Sequence, residues 1–365
     1  MNIGIDISQI VYQTGVSRYT LELVTHLLKI DSENSYFLYG GSLRHRQILN
    51  SFYGGIKTPR TTFQLTCLSP HLAEFFWNRF NLFPPAGNLD VFHGSNWALP
   101  RTKSKLVTTI HDLTFLKYPQ THTPYSIAAH TRHLKLAKKY ADKIIAVSQS
   151  TKKDLIDYGI QAEKISIIYE AADPIFKPVD PHSVKAKYGL TKDYFLNVGT
   201  LEPRKNLQRL IEAFSKLFHP GMESSHIPGC ELVIVGPIGW GDSLKTTKNV
   251  RFLGFVPDED LVGLYSGAKA FVYPALYEGF GLPVLEALSC GCPVITSNVS
   301  SLPEVGGQAA IYVNPLSVAE ITQAMAAVQK LNLTQKSLAQ AKKFSWEKTA
   351  KETLKVYQEV YENRD

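Results

Sequence analysis

The sequence predicts an α/β protein whose strands form parallel sheets, arranged in two domains. Three observations carry this. Short apolar runs alternate with amphipathic helical runs almost throughout. A length of 365 residues with 44% hydrophobic and 11% aromatic content is enough for two cores. A proline-bearing stretch, Ala172-Asp173-Pro174 through Pro178 and Pro181, breaks the alternation near the middle, which puts a first domain at 1–178 and a second from 179 onward.

In the first domain, Ile3 to Ile7 reads as a buried strand, and Val16 to Lys29 as a helix with Leu21, Val24, Leu27 and Leu28 at helical spacing. The connection Gln13-Thr14-Gly15-Val16-Ser17-Arg18 places a glycine where a ligand can approach backbone, with Arg18 one turn on to meet an anion. A shorter strand, Tyr36 to Tyr39, precedes a basic and aromatic segment holding Arg44, Arg46, Arg60 and Phe75-Phe76-Trp77-Asn78-Arg79-Phe80. Two readings stay open there: a surface docking lipid head groups or a sugar acceptor, or ordinary helix packing with snorkelling arginines. Asp90 to Gly94 and Lys105 to Ile110 are strands running into His93 and His111-Asp112. Ligands of open α/β sheets gather at carboxyl ends of strands, so both histidines are candidates, although a lone histidine is more often structural. Tyr125 to Tyr140 is a basic helix; Lys143 to Val147 is a strand; Ser148 caps a helix to Tyr158; Ile165 to Ile168 is a strand.

The second domain opens with the strand Tyr194 to Val198 and the loop Gly199-Thr200-Leu201-Glu202-Pro203-Arg204-Lys205-Asn206, then a helix to about Leu217. Two cations on a loop ahead of a helix suit a polyanion better than a carboxylate. Further strands are Glu231 to Val235, ending in Gly236-Pro237-Ile238-Gly239, and Val250 to Leu253, ending in Gly254-Phe255-Val256. Ala270 to Tyr273 feeds the stretch Tyr277-Glu278-Gly279-Phe280-Gly281-Leu282-Pro283-Val284-Leu285-Glu286. It reads as a glycine-jointed loop with one carboxylate and a helix with a second, where freed N–H groups seat an anion. Pro293 to Thr296 and Ala309 to Val313 are strands, Ser317 to Gln329 a helix, and Phe344-Ser345-Trp346 leads into a last helix to about Tyr361.

Lys plus Arg exceed Asp plus Glu by 39 − 32 = 7, and the pI is near 9.0, which fits nucleic acid, an anionic membrane surface or phosphorylated substrates. Dispersed basic residues without a recognition motif disfavour nucleic acid. Cys67, Cys230, Cys290 and Cys292 are too scattered for a disulfide framework and lack metal-like spacing. The N-terminus enters a strand without a leader, and no apolar run approaches a membrane span. The expectation is a cytoplasmic protein, soluble or resting on the inner face of the membrane.

Taken together, these motifs resemble the large family of retaining glycosyltransferases with the GT-B fold (family 4-like, group 1), which includes bacterial lipopolysaccharide and phosphatidylinositol mannosyltransferases. The residues carrying the resemblance are Gly199-Thr200 with Arg204-Lys205, Gly254-Phe255-Val256, the Glu-x7-Glu pair Glu278 and Glu286 around Gly-Phe-Gly-Leu-Pro, and Phe344-Ser345-Trp346. In the first half they are Gly15, Asp90-Val91-Phe92-His93 and Thr109-Ile110-His111-Asp112-Leu113. The resemblance implies two Rossmann-like domains facing across a cleft: an acceptor domain at 1–178, a nucleotide-sugar donor domain at 179–345, and a helix at 346–365 returning to the first domain.

It also implies roles. Arg204 and Lys205 clamp the growing phosphate charge, Glu286 binds ribose hydroxyls and Glu278 touches the donor sugar. His111 lines the sugar pocket, giving a catalytic set of Glu278, His111, Arg204 and Lys205. Donor binding falls to Gly15, Gly199, Thr200, Gly236, Phe255, Val256, Gly279, Phe280, Gly281, Leu282 and Glu286, and the acceptor side to Arg18 and His93. Asp258-Glu259-Asp260 matches an acidic pattern that metal-dependent glycosyltransferases use, yet reads better as a helix N-cap with first-turn charges. No metal or cofactor is expected. The implied reaction is retaining transfer of a hexose, mannose from GDP-mannose, to a glycan or lipid-linked acceptor. UDP-glucose, UDP-N-acetylglucosamine and dTDP-rhamnose remain alternative donors; a nucleotide-sugar epimerase and a non-catalytic glycan-binding subunit remain alternative functions.

Overall fold

The structure is a computed structural model and describes residues 1–363 except 13, 86, 96, 219–228, 242–243 and 329. Gln13 in the first loop and Gln329 at one helix end therefore lie outside the described residues. The chain divides into two compact units, one formed by Met1–Glu170 with Ser345–Asp365, the other by Ala171–Phe344. The proline-bearing segment packs on the second unit, where the Phe176 ring meets Tyr265 edge on at 5.9 Å.

Seven strands build the first sheet: β1 (Asn2–Asp6), β2 (Ser35–Gly41), β3 (Thr61–Thr66), β4 (Val91–Gly94), β5 (Lys105–Ile110), β6 (Lys143–Ala146) and β7 (Ile165–Ile167). All pair in parallel in the order β3-β2-β1-β4-β5-β6-β7. The second sheet holds β8 (Tyr194–Val198), β9 (Glu231–Val235), β10 (Val250–Gly254), β11 (Ala270–Tyr273), β12 (Val294–Ser297) and β13 (Ala310–Val313), parallel in the order β10-β9-β8-β11-β12-β13. Parallel strands with crossover helices must be covered on both faces, which is why β8 and β11 are buried at every residue. Strand order reverses between β1 and β4 in one unit and between β8 and β11 in the other. Such switch points open a crevice at the carboxyl ends of the strands, where α/β proteins bind ligands.

Several elements carry no clear sequence signal. β3 is an edge strand rich in threonine that follows β2 in register from Tyr36↔Thr61 to Gly41↔Thr66. The helix Arg46–Ile56 contains Gly54 and Gly55, poor helix formers. The helix Pro70–Phe75 runs into a π-helical turn, Phe76–Phe80, closed by Asn81 in a left-handed conformation. This splits the aromatic cluster: Trp77 is buried against Tyr39, while Phe75, Phe80 and Phe83 remain exposed. The helix Asp258–Gly267 has Pro257 rather than Asp258 at its N-cap position, with no side-chain cap hydrogen bond, and the Asp260 carboxylate accepts hydrogen bonds from Lys187 and Tyr188 at 2.6 and 2.7 Å.

The last helix, Trp346–Glu362, belongs to the first unit. Ser345 caps it, Thr349 Oγ1 donates to the Tyr169 carbonyl, and buried Tyr357 places its hydroxyl 2.6 Å from His93 Nδ1. His93 Nε2 lies 2.9 Å from Thr109 Oγ1, and Thr109 Oγ1 lies 2.9 Å from the Tyr19 hydroxyl. Burial, reinforced by nearby His111, lowers His93 to about 3, so its ring is neutral near pH 7. Replacing Tyr357 by Phe leaves a buried imidazole nitrogen without its partner, with an expected loss of about 1–3 kcal/mol measured by urea denaturation.

Candidate active site

The carboxyl ends of β8 and β11 bring three predicted residues into one network. After β8 the chain bends at Gly199, whose φ is 149°, and a 3-10 turn, Pro203–Lys205, sets two cations side by side. Asn206 takes a left-handed conformation, φ 61°, and starts the helix Leu207–Lys216. Its side-chain amide donates to the Pro274 and Pro315 carbonyls at 2.9 and 2.6 Å, while Leu276 N–H donates to the Arg204 carbonyl. The loops after β8 and β11 are thereby tied together.

Glu278 is the hub. Its Oε1 lies 2.6 Å from Lys205 Nζ and 2.7 Å from Arg204 Nη1, and accepts the Tyr273 hydroxyl at 2.8 Å. Lys205 Nζ also donates to the Tyr273 oxygen at 2.6 Å, and Arg204 Nη2 to Glu202 Oε1 at 2.5 Å. Burial by itself raises the Glu278 carboxyl, but Arg204 and then Lys205 outweigh it and hold it down at about 2. For Lys205 burial dominates and lowers the ammonium, because it shares its carboxylate with the neighbouring Arg204. Two cations thus face two buried carboxylates, Glu202 and Glu278, and the group sums to zero charge.

The segment carrying Glu278 is clamped from β12's end. Ser300, at a left-handed φ of 55°, accepts the Glu278 N–H on its hydroxyl, and Ser301 Oγ donates to the Glu278 and Phe280 carbonyls at 2.9 and 2.7 Å. Gly281, φ 104°, precedes the helix Leu282–Ser289; Pro283 in its first turn has no N–H, and the Val284 and Leu285 N–H groups donate to the Gly281 carbonyl at 3.0 and 3.3 Å. On that helix Glu286 is buried and accepts the Tyr265 hydroxyl on Oε2 at 3.1 Å.

Other predicted donor-side residues are placed differently. Phe280 is buried against Phe344, at 5.8 Å between rings, and Val256 is buried. Phe255 is 75% exposed, Thr200 and Leu282 are partly buried, and Gly279 is buried within the clamped loop. Gly236 serves backbone packing: a Cβ there would sit 2.0 Å from the Gly199 carbonyl oxygen.

In the first unit, Gly15 opens the helix Gly15–Ile30 behind a capping box made by Thr14 and Ser17, and Arg18 is partly buried in its first turn. His93, assigned to the acceptor side, has both ring nitrogens engaged within the protein, so it braces the core instead. His111 is partly exposed, with Nδ1 2.8 Å from Glu170 Oε1 and its ring edge-on to Tyr19 at 4.8 Å. A carboxylate only accepts, so Nδ1 carries the hydrogen. Glu170, Glu202, Asn206, Ser300 and Ser301 have structural partners at the two sites that sequence reasoning did not single out for these roles.

The Glu278 carboxyl stands at about 2 against an ordinary 4.5, so its contribution to stability is complete above pH 4.5 and is lost as pH falls through 2. In Glu278→Gln the melting temperature should therefore fall less steeply between about pH 5 and about pH 2. At neutral pH that variant should be less stable by about 3–5 kcal/mol, because two buried cations lose their shared counter-charge.

Comparison with known proteins agrees with this geometry. Residues 13–175 match Glycosyltransferase Family 4, and residues 182–345 match Glycosyl transferases group 1. The O-antigen chain mannosyltransferase B of Escherichia coli is 33% identical over 375 residues, spanning 94% of this chain and 96% of that one. The serotype-specific mannosyltransferase WbdA of the same organism is 36% identical over 228 residues, which are 58% of this chain and 28% of that longer protein. Among solved structures, the sucrose-phosphate synthase of Thermosynechococcus elongatus superposes with a TM-score of 0.73 at 18% identity, over 99% of both chains. HepE of Anabaena, solved with UDP and glucose, gives 0.72 at 17% identity, over 98% of this chain and 100% of that one. With two parallel-sheet Rossmann-like units and this near full-length relative, the chain belongs to the family 4-like, group 1 glycosyltransferases of the GT-B fold.

Proposed function

We propose that this glycosyltransferase transfers mannose from GDP-mannose, with retention of configuration and without a metal, to a hydroxyl of a glycan or lipid-linked acceptor. The observation that carries the reading is the Arg204-Lys205-Glu278 network at the β8/β11 switch point. Mannose is favoured by the mannosyltransferase names of relatives that align with most or part of the chain, including the O-antigen chain mannosyltransferase RfbU of Salmonella typhimurium at 29% identity.

When the glycosidic bond breaks, negative charge grows on the β-phosphate. Arg204 and Lys205 are fixed donors for it. A phosphate oxygen reaching these cations competes with Glu278 Oε1, which frees carboxylate valences for sugar hydroxyls. Glu286, whose Oε2 accepts the Tyr265 hydroxyl, is the carboxylate assigned to the ribose diol. A diphosphate leaves without a general acid, so the leaving phosphate takes the acceptor proton on the same face, and His111 orients a sugar hydroxyl. Asp260 is committed to Lys187 and Tyr188, which leaves the acidic Asp258–Asp260 run poorly suited to hold a cation.

A thermal-shift screen of nucleotide sugars should show the largest rise with GDP-mannose, and product analysis should find an α-mannoside formed equally well in EDTA. Glu278→Ala and Lys205→Ala should each lower turnover by about 10²–10³-fold. Full activity in both variants overturns the site. A strict divalent-ion requirement overturns the metal-free mechanism, and an epimerised nucleotide sugar without acceptor replaces transfer by epimerisation.

A lipid-linked acceptor is supported by exposed Phe75, Phe80 and Phe83 beside Arg79, whose guanidinium lies 5.0 Å from the Phe75 ring centroid, and by Arg101, which is hydrogen-bonded through its backbone to Asn81. Aromatic rings with arginines suit an anionic bilayer surface. The double variant Phe80→Ser, Phe83→Ser should sediment with phosphatidylglycerol vesicles about tenfold less than the parent protein. Equal sedimentation removes this surface from the reading.

A further inference from the structure

Glu170 follows β7 at the end of the first unit's N-terminal segment, and its side chain is 5% exposed. Its Oε1 accepts the His111 Nδ1 hydrogen at 2.8 Å, and among the described residues this is the one hydrogen bond its carboxylate makes. A buried carboxylate is destabilising unless it is paired, and elsewhere in the chain the pairing is with strong cations: Glu74 with Arg132, Glu278 with Arg204 and Lys205. Glu170 is matched to an imidazole instead. An apolar residue of similar volume is often no less stable at such a position, so stability alone does not account for this carboxylate.

The backbones on both sides of the hydrogen bond are pinned by other elements. Ile168 N–H donates to the Ala146 carbonyl at 3.0 Å, and Thr349 Oγ1 of the last helix donates to the Tyr169 carbonyl at 2.6 Å, which fixes the approach to Glu170. The His111 carbonyl accepts Thr151 Oγ1 at 3.1 Å, and the Tyr19 ring meets the imidazole edge-on at 4.8 Å. An edge-on ring limits where the imidazole lies, but it does not choose which nitrogen carries the hydrogen. The Glu170 oxygen makes that choice and sets the rotation of the ring. The His111 side chain is 14% exposed and lines two small hollows, of about 20 and 40 Å³, so the imidazole can be reached from outside while the carboxylate behind it is covered.

We infer that Glu170 is a positioning residue for the transfer reaction, its buried carboxylate holding His111 in one tautomer and one ring orientation so that the imidazole meets the sugar already aligned. The inference rests on the reading of His111 as the residue that orients a sugar hydroxyl. Glu170 acts only through that ring.

The test uses the full chain. In long-range ¹⁵N–¹H spectra of histidine-labelled protein, recorded without nucleotide at about pH 8.5, where imidazoles as a class are neutral, His111 should show the hydrogen on Nδ1. Its signal is assigned by its loss in His111→Ala. Glu170→Ala should turn it into a mixture of both tautomers, whereas Glu170→Gln keeps a carbonyl oxygen in reach and should keep the parent form. In turnover of GDP-mannose, Glu170→Ala should lower kcat by about tenfold with a smaller change in KM, and Glu170→Gln should recover most of it. In the His111→Ala background, adding Glu170→Ala should lower kcat no further. Each variant is assayed at a temperature where circular dichroism shows it folded. An unchanged tautomer in Glu170→Ala overturns the inference. Losses that add in the double variant identify a carboxylate that serves stability alone and overturn it as well. Absence of any GDP-mannose turnover in the parent protein instead marks failure of the donor reading, while the nucleotide-free spectra still decide whether Glu170 sets the His111 ring.

Discussion

One buried carboxylate oxygen, Glu278 Oε1, governs the geometry of the second unit's site. It holds Lys205, Arg204 and Tyr273 at once, so the loops after β8 and β11 cannot move independently. Ion pairs in such surroundings carry a desolvation penalty that is offset only when geometry and additional hydrogen bonds are good. Both conditions are met here: Arg204 also reaches the Tyr277 carbonyl, Asn206 ties the loops through two carbonyls, and Ser300 and Ser301 fix the backbone of the carboxylate. The charges are thus positioned before any ligand arrives, which is the condition for fixed donors to stabilise developing charge without reorganising.

The first unit differs at its own switch point. Two of its buried groups resist ionisation: His93 is held near 3 by burial, and Asp6 is pushed toward its protonated form by burial. Around them hydrogen bonds link imidazole and hydroxyls, and the buried Glu170 carboxylate holds His111. One sheet architecture used twice thus carries different polar chemistry through the residues at its strand ends.

Much of this fold is legible in the sequence because parallel strands buried on both faces are continuous apolar runs; Tyr194–Val198, Glu231–Val235 and Ala270–Tyr273 stand where those runs place them. The edge strand Thr61–Thr66 is not, since half of its residues are threonine and its pairing with β2 is a tertiary fact. At the site, Arg204, Lys205 and Glu278 are visible as charges on loops after strands. That they share one oxygen is not visible, because Lys205 and Glu278 are 73 positions apart. Phe280 and Val256 are named by their position in motifs, and that their apolar side chains are buried is visible only in the fold. Glu170, Asn206 and Ser300 are ordinary polar residues in sequence, and only the fold gives them partners.

The last helix has a consequence for how the molecule is made. The first unit is interrupted at Glu170 and completed only by Ser345–Asp365, whereas the second unit is continuous. During synthesis from the N-terminus, every residue of the second unit leaves the ribosome before the first unit has its Trp346 and Tyr357. The order of completion is therefore the reverse of the order of translation. The first unit must hold His93 without its tyrosine partner for the whole time the second unit takes to emerge, which makes that interval the period when the first sheet is most exposed to misassembly.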